Sequence, residues 1–237
     1  MKKLALIFAF LGFVNFCVAD GFQNAKLKIA KDLVAQGEYK SAYKILDENC
    51  QNKDLESCGE LAGLFHMGKG VLKDEAKSQQ FLSLACEAGF MEYCDNLGVT
   101  YYFGFLEKND EKALAFFKKA CDGGFMRGCN NAGVIYDNSV PNDFALAFKY
   151  YQKACDGGYA YACGNVAVMY DFAKGVEQDI VKAIKMYKKG CEGDNPHSCQ
   201  TLAQGYSEGK FVEKNPTLAK ELYKKACNLG LESACSK

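Results

Sequence analysis

The sequence has no tryptophan, three prolines and two histidines among 237 residues, and no excess of either charge, with 29 Lys plus Arg against 29 Asp plus Glu. Without a basic surplus there is little to neutralise phosphates, which argues against nucleic acid as the main partner. His66 and His197 stand in neither a His-x-His nor a His-Glu-x-x-His arrangement, so no histidine zinc site is written in the chain and both read as solvent or packing residues. No Cys-x-x-Cys occurs either, although there are 13 cysteines. Beyond residue 19 no segment is apolar enough to span a bilayer, which needs about 20 apolar residues. At 49% apolar residues the chain can bury a sizeable core, and it is neither disordered nor fibrous.

The first 19 residues have a composition of their own. Lys2 and Lys3 precede an apolar run from Leu4 to Phe16, and Cys17-Val18-Ala19 places small residues where a signal peptidase reads. Cleavage after Ala19 is expected. An uncleaved anchor fits less well because the run is short, and a lipoprotein site at Cys17 would want a small residue where Phe16 stands. Removal leaves 27 basic and 29 acidic residues and 12 cysteines. An even count in an exported chain points to disulfides and to a secreted or periplasmic location.

The twelve fall into six C-x7-C pairs: Cys50/Cys58, Cys86/Cys94, Cys121/Cys129, Cys155/Cys163, Cys191/Cys199 and Cys227/Cys235. First members recur every 34 to 36 residues, a period that signals an array of repeats. On one continuous helix, partners eight residues apart would have Cα atoms about 12 Å apart, beyond disulfide reach. The chain must therefore reverse inside each pair. Gly89, Gly124, Gly158 and Gly230 stand three residues after the first cysteine, and Gly193 two after, where a helix end wants a residue that tolerates positive φ. Each pair is expected to close on itself, stapling one helix end to the next helix start, and a bridge between pairs, such as Cys58 to Cys86, is not expected.

Helical columns follow from the same register. Three, four and seven residues after the second cysteine stand Leu61/Ala62/Phe65, Leu97/Gly98/Tyr101, Ala132/Gly133/Tyr136, Val166/Ala167/Tyr170 and Leu202/Ala203/Tyr206, one face of a helix. Four before the first cysteine are Leu46, Leu82, Phe117, Tyr151, Tyr187 and Tyr223, and eight before are Ala42, Ser78, Ala113, Ala147, Ala183 and Ala219. Small residues in that column let helices approach closely. Asp74, Asp110, Asp143, Asp179 and Asn215 are expected as N-caps of the second helices, with Pro216 at N1 after the last.

The stretch Cys94 to Gly104, Asp110, Ala113, Phe117 and Lys119-Ala120-Cys121-Asp-Gly-Gly124 resembles the Sel1-like repeat, a relative of the tetratricopeptide repeat. With C-x7-C in every unit, the chain is similar to the Helicobacter cysteine-rich protein family. The resemblance implies an all-α, right-handed α-solenoid of Sel1-like helix pairs, cross-linked by the C-x7-C disulfides. It would be one domain over 20–237, with pairs near 23–53, 54–89, 90–124, 125–158, 159–194 and 195–230. Two departures stand out. The first pair has no cysteine in its first helix, as suits a cap, and Asn138-Ser139-Val140-Pro141 replaces the usual Gly-containing turn in a short fourth unit.

Chemistry is thinly supplied. Zinc is disfavoured for the cysteines because six copies of one longer spacing in an exported chain fit disulfides better. No cofactor or metal is implied, and no residue is assigned a catalytic role. Members of the resembled family have been labelled penicillin-binding or weakly β-lactamase active, which implies β-lactam compounds as an alternative partner. Ser41-Ala-Tyr-Lys44 and Ser207-Glu-Gly-Lys210 match the first Ser-x-x-Lys element only, and no Ser-Asp-Asn or Lys-Thr-Gly follows.

Binding is better provided for. Two residues after the second cysteine the column reads Glu60, Asn96, Asn131, Asn165, Thr201, able to donate to and accept from an extended peptide backbone. It is flanked by Leu64, Thr100, Ile135, Met169, Gly205 and then Met67, Phe103, Asn138, Phe172, Glu208. On the concave side of a helix-pair stack such a column suits a peptide or protein partner.

Overall fold

The computed structural model describes residues 24–139, 141–210 and 212–237. The expected signal peptide, residues 1–19, lies outside the described residues.

Among the described residues there are twelve α-helices and no strand. They are α1 (24–35), α2 (Tyr39–Gln51), α3 (Leu55–Met67), α4 (Glu75–Glu87), α5 (Met91–Phe103), α6 (Asp110–Asp122), α7 (Met126–Asn138), α8 (Phe144–Asp156), α9 (Ala160–Asp171), α10 (Ile180–Glu192), α11 (Pro196–Glu208) and α12 (Pro216–Asn228), with a final 3₁₀ turn Glu232–Ala234. The chain divides into two compact units at Asn109/Asp110, the first holding α1–α5 and the second α6–α12 with the final turn. From α2 to α5 in the first unit, and from α6 to α12 in the second, each helix packs on the next in sequence. That is the α-solenoid arrangement of consecutive helix pairs.

Short and long links alternate, and each has a recurrent construction. At the short links the residue three after the first cysteine has positive φ in all six repeats: Lys53, Gly89, Gly124, Gly158, Asp194 and Gly230. Its N–H donates to the carbonyl of the first cysteine, and the next N–H donates to the carbonyl just before that cysteine, as in Gly89 to Cys86 and Phe90 to Ala85. This is the Schellman closure of a helix C-terminus. It turns the chain so that the second cysteine, about one turn beyond the link, comes back over the first.

All six pairs close as the spacing predicts, Cys50 with Cys58, Cys86 with Cys94, Cys121 with Cys129, Cys155 with Cys163, Cys191 with Cys199 and Cys227 with Cys235, at Cα–Cα distances of 4.5 to 4.8 Å. Cys58 thus bonds back to α2 and not forward to Cys86. Gly193 is a correction. It has φ −86°, and the left-handed residue of that repeat is Asp194, because the register fixes where the chain must turn and aspartate tolerates the conformation.

At the long links Asp74, Asp143, Asp179 and Asn215 cap α4, α8, α10 and α12 by accepting a backbone N–H three residues on. Asp110 is again a correction: it is the first residue of α6. Asn109, twelve before Cys121, holds the position that Asp74 holds before Cys86. At these five links the N–H at this position donates to the carbonyl of an aromatic residue in the preceding helix: Asp74 to Phe65, Asn109 to Tyr101, Asp143 to Tyr136, Asp179 to Tyr170 and Asn215 to Tyr206. The aromatic column thus closes the hairpin with its backbone, while the Phe65, Tyr136 and Tyr170 rings pack against the buried clusters.

The columns read from the sequence form the core. Leu61, Leu97, Ala132, Val166 and Leu202 are buried, as are Leu46, Leu82, Phe117, Tyr151 and Tyr187 and the whole Ala/Ser column from Ala42 to Ala219. Disulfide sulfurs are part of this interior. In the second unit Cys121, Cys129, Cys155 and Cys163 cluster with Ala147, Tyr151, Val166 and Met169. Burial pushes the Tyr187 phenol well above its ordinary pKa, helped by the nearby Asp171 charge.

The bridges are not equivalent, although their spacing is. Both cysteines of the four bridges from Cys86 to Cys199 are buried. The first bridge departs from this on one side only: Cys58, the fourth residue of α3, is buried, whereas Cys50 near the end of α2 is half-buried and packs against the cluster of Leu27, Leu46 and Leu61. The last bridge departs on both sides, with Cys227 half-buried and Cys235 exposed. Thiolate attack needs access to sulfur. In a graded reduction followed by alkylation and mass mapping, Cys227 and Cys235 are therefore expected to be labelled first, and Cys50 and Cys58 next. Earlier labelling of Cys121 and Cys129 would contradict this.

Candidate functional site

In the first unit Glu60 on α3 and Asn96 on α5 lie half-buried along one pocket of about 240 Å³, whose wall includes His66, Thr100 and Phe105. Glu60 is held from two sides: the Tyr93 hydroxyl donates to it at 3.0 Å and the Lys31 ammonium lies 3.2 Å away. Lys31 also reaches Glu56 at 2.8 Å. Burial pushes the Tyr93 phenol far up, and the Glu60 charge adds to it. For Lys31 burial acts downward, but the hydrogen bond to Glu56 and the charge of Glu60 outweigh it and hold the ammonium above its usual range.

His66 is no free solvent residue. Its Nδ1 faces Glu75 Oε2 at 2.9 Å, and the Phe105 ring lies against it at 4.7 Å. Burial raises the Glu75 carboxyl, yet its hydrogen bonds with His66 and Lys73 prevail and leave it below the ordinary carboxylate range.

The second unit holds Asn131 on α7, Asn165 on α9 and Thr201 on α11. Asn165 Nδ2 donates to Asn130 Oδ1 at 2.9 Å, and Asn130 Nδ2 reaches Asn131 Oδ1 at 3.4 Å. Amides of adjacent repeats are thereby tied together, and Asn130, which the sequence reading passed over, is the link. Asn165 and Thr201 open onto a pocket of about 250 Å³ walled also by Asn130, Tyr161, Asn195 and His197. Thr201 Oγ1 donates to the His197 carbonyl at 3.0 Å.

A second pocket of about 330 Å³ shares Val168, Tyr187 and Thr201 with the first. Its wall is largely apolar, with Phe172, Ile184 and Leu202, and its rim carries Asp171, Glu208 and Lys210. The flanking positions are corrected in part: Leu64, Ile135 and Met169 are buried in the core, while Met67, Phe103 and Phe172 are exposed. On a stacked helix pair the position one turn beyond the polar column turns into the repeat interface, and the apolar side chains go with it.

Neither Ser-x-x-Lys serine lines any of these three pockets. Ser41 and Lys44 are exposed on α2, and Ser207 is exposed near the end of α11 with Lys210 exposed beyond it. Among the described residues no group of three or more His, Cys, Asp or Glu could hold a metal ion, and no helix is long and apolar enough to cross a membrane.

Two solved structures share the fold, and a third is similar in sequence over part of the chain. A Sel1 repeat protein from Oxalobacter formigenes is 21% identical, with 88% of this chain and 86% of that one covered, at a TM-score of 0.79. The c5321 protective antigen of uropathogenic Escherichia coli, described as displaying an SLR fold, is 23% identical over 91% of this chain and 48% of its own, at 0.73. Helicobacter pylori cysteine rich protein B is 31% identical over 56% of this chain and 97% of its own, at 0.46. No curated protein sequence matches the chain. The Sel1 repeat pattern matches five times, over residues 55–90, 92–125, 127–159, 160–195 and 196–231. Each match holds one helix pair from α3/α4 to α11/α12, so on both sequence and architecture this chain belongs to the Sel1 repeat family.

Proposed function

We propose that the protein is exported, by way of residues 1–19, and acts outside the cytoplasm as a disulfide-stapled scaffold that binds a peptide or protein partner through the polar column Glu60, Asn96, Asn131, Asn165, Thr201. One observation carries this reading: column residues one repeat apart open onto the same cavity, Glu60 with Asn96 in the first unit and Asn165 with Thr201 in the second. Six disulfides support export, because such bonds persist in oxidising compartments. Half-buried amides at these positions suit an extended backbone, which offers a donor and an acceptor at each residue.

Peptides selected by display against the oxidised protein test it. Thr201 is exposed and Asn96 half-buried, so Thr201→Arg and Asn96→Arg fill the cavities from their rims. Selected peptides are expected to lose at least about tenfold in affinity to one of these variants, the equivalent of about 1.4 kcal/mol. Lys220→Glu, on the exposed side of α12, is expected to bind as the unaltered protein does. Equal affinity across all of them would remove the column from the binding surface.

A further inference from the structure

At the start of α11 the side chains of Asn195 and Ser198 are 4% and 1% exposed, and both border the pocket that holds Asn165 and Thr201. Asn195 Oδ1 caps the helix, accepting the N–H of His197 at 3.0 Å and of Ser198 at 3.2 Å. That use fixes which end of the amide is which: Nδ2 points away from the helix and donates to none of the described residues. The Ser198 hydroxyl is buried and likewise has no partner among the described residues.

The unsatisfied Ser198 hydroxyl is a cost to folding, and the neighbouring glycine leaves room beside it and the Asn195 amide nitrogen. A Cβ at Gly164 on α9 would stand 2.7 Å from Asn195 Nδ2 and 2.8 Å from Ser198 Oγ. Across the pocket the Asn165 amide nitrogen is engaged by Asn130, which leaves Asn165 Oδ1 as an acceptor. The pocket therefore offers a neutral donor and a neutral acceptor, with no lysine or arginine on its wall. That combination matches an uncharged secondary amide better than an anion.

The adjoining 330 Å³ pocket, reached past Thr201 and Tyr187, is lined mainly by apolar side chains, including the exposed Phe172. We infer that the second unit reads an extended peptide in two places: a backbone amide between Asn195 Nδ2 and Asn165 Oδ1, and a large apolar side chain of the same peptide in the well beside Phe172. This rests on the binding reading above and adds to it a specificity, because the well prefers large side chains to small ones.

The test uses the full oxidised chain and two fluorescein-labelled, end-capped pentapeptides, Gly-Ser-Phe-Ser-Gly and its counterpart with alanine in place of phenylalanine. Asn195→Asp is the decisive variant, since aspartate caps a helix as well as asparagine does but lacks the donor. The phenylalanine peptide is expected to bind the unaltered protein about tenfold or more tightly than the alanine peptide. Asn195→Asp is expected to weaken both peptides by about fivefold to tenfold, with its melting temperature retained. Phe172→Ala should weaken the phenylalanine peptide alone.

Unaltered affinity of Asn195→Asp, equal affinity of the two peptides, or no binding at millimolar peptide would each overturn the inference. If these peptides fail while a display-selected peptide still responds to Thr201→Arg, the scaffold reading survives and this specificity does not.

Discussion

Full reduction of the six disulfides is expected to unfold most of the molecules at room temperature, while loss of any one bridge leaves the fold standing. Each bridge joins cysteines eight residues apart. On the chain-entropy estimate such a loop contributes about 2.5 kcal/mol, so six sum to about 15 kcal/mol, comparable with the whole stability of about 5 to 15 kcal/mol that folded domains usually have. Packing lost around the sulfurs adds to this, since most of the cysteines, Cys58 among them, are fully buried. The single-bridge comparison is Cys121→Ala with Cys129→Ala, whose cost should stay at a few kcal/mol because stability in a repeat array is close to a sum of local and nearest-neighbour contributions. Urea denaturation followed by circular dichroism, on oxidised, reduced and doubly substituted protein, checks it. A double variant as unfolded as the reduced protein would refute additivity.

The second large effect is expected at Gly175, between α9 and α10. Its φ is +67°, and an added Cβ would stand 2.5 Å from the carbonyl carbon and oxygen of Phe144, the first residue of α8. Backbone cannot rotate aside as a side-chain tip can, so Gly175→Ala must displace the link from the preceding repeat, at a cost of about 3 kcal/mol or more. Gly158 is the control. It also has positive φ, +91°, but a Cβ there meets nothing within 4 Å, and Gly158→Ala should cost only about 1 kcal/mol for the left-handed backbone. Equal denaturation midpoints for the two variants would show that the close approach to Phe144 carries no weight.

What could be read from the sequence, and what could not, divides along physical lines. The cysteine pairs were legible because a disulfide tolerates only a narrow range of Cα separations, so a repeated spacing of eight forces a repeated reversal. Their unequal burial was not: Cys50 and Cys58 share one bridge, yet only Cys58 is sealed, because cover depends on how each side chain packs among neighbouring helices, which the spacing does not encode. The core columns were legible because the register carries over from repeat to repeat. The misplacements, Asp110 for Asn109 and Gly193 for Asp194, arise where two neighbouring residues both suit the task and chemistry alone does not choose. Counting twelve residues back from Cys121, or three on from Cys191, would have chosen correctly, because position in the repeat outweighs residue type there. The binding face was only half legible. Asn165 and Thr201 reach a cavity, but whether Met169 or Phe172 is exposed depends on how the next helix pair packs, which no single helical wheel contains. Asn195-Pro196 does carry a cap and an N1 proline, but a cap at a short link does not by itself reveal that its amide nitrogen faces a cavity.

All six bridges lie within single short links, and none spans a long one, so the molecule responds to tension in a particular way. Eight extended residues span about 28 Å at roughly 3.5 Å each, yet the bridged Cα atoms stay 4.5 to 4.8 Å apart. A chain pulled from its ends would therefore peel apart hairpin by hairpin while withholding about 140 Å of contour length, taking about 23 Å per loop over six loops. Every released hairpin would keep its turn closed and its two helices in register. Re-zipping would then begin from a preformed corner.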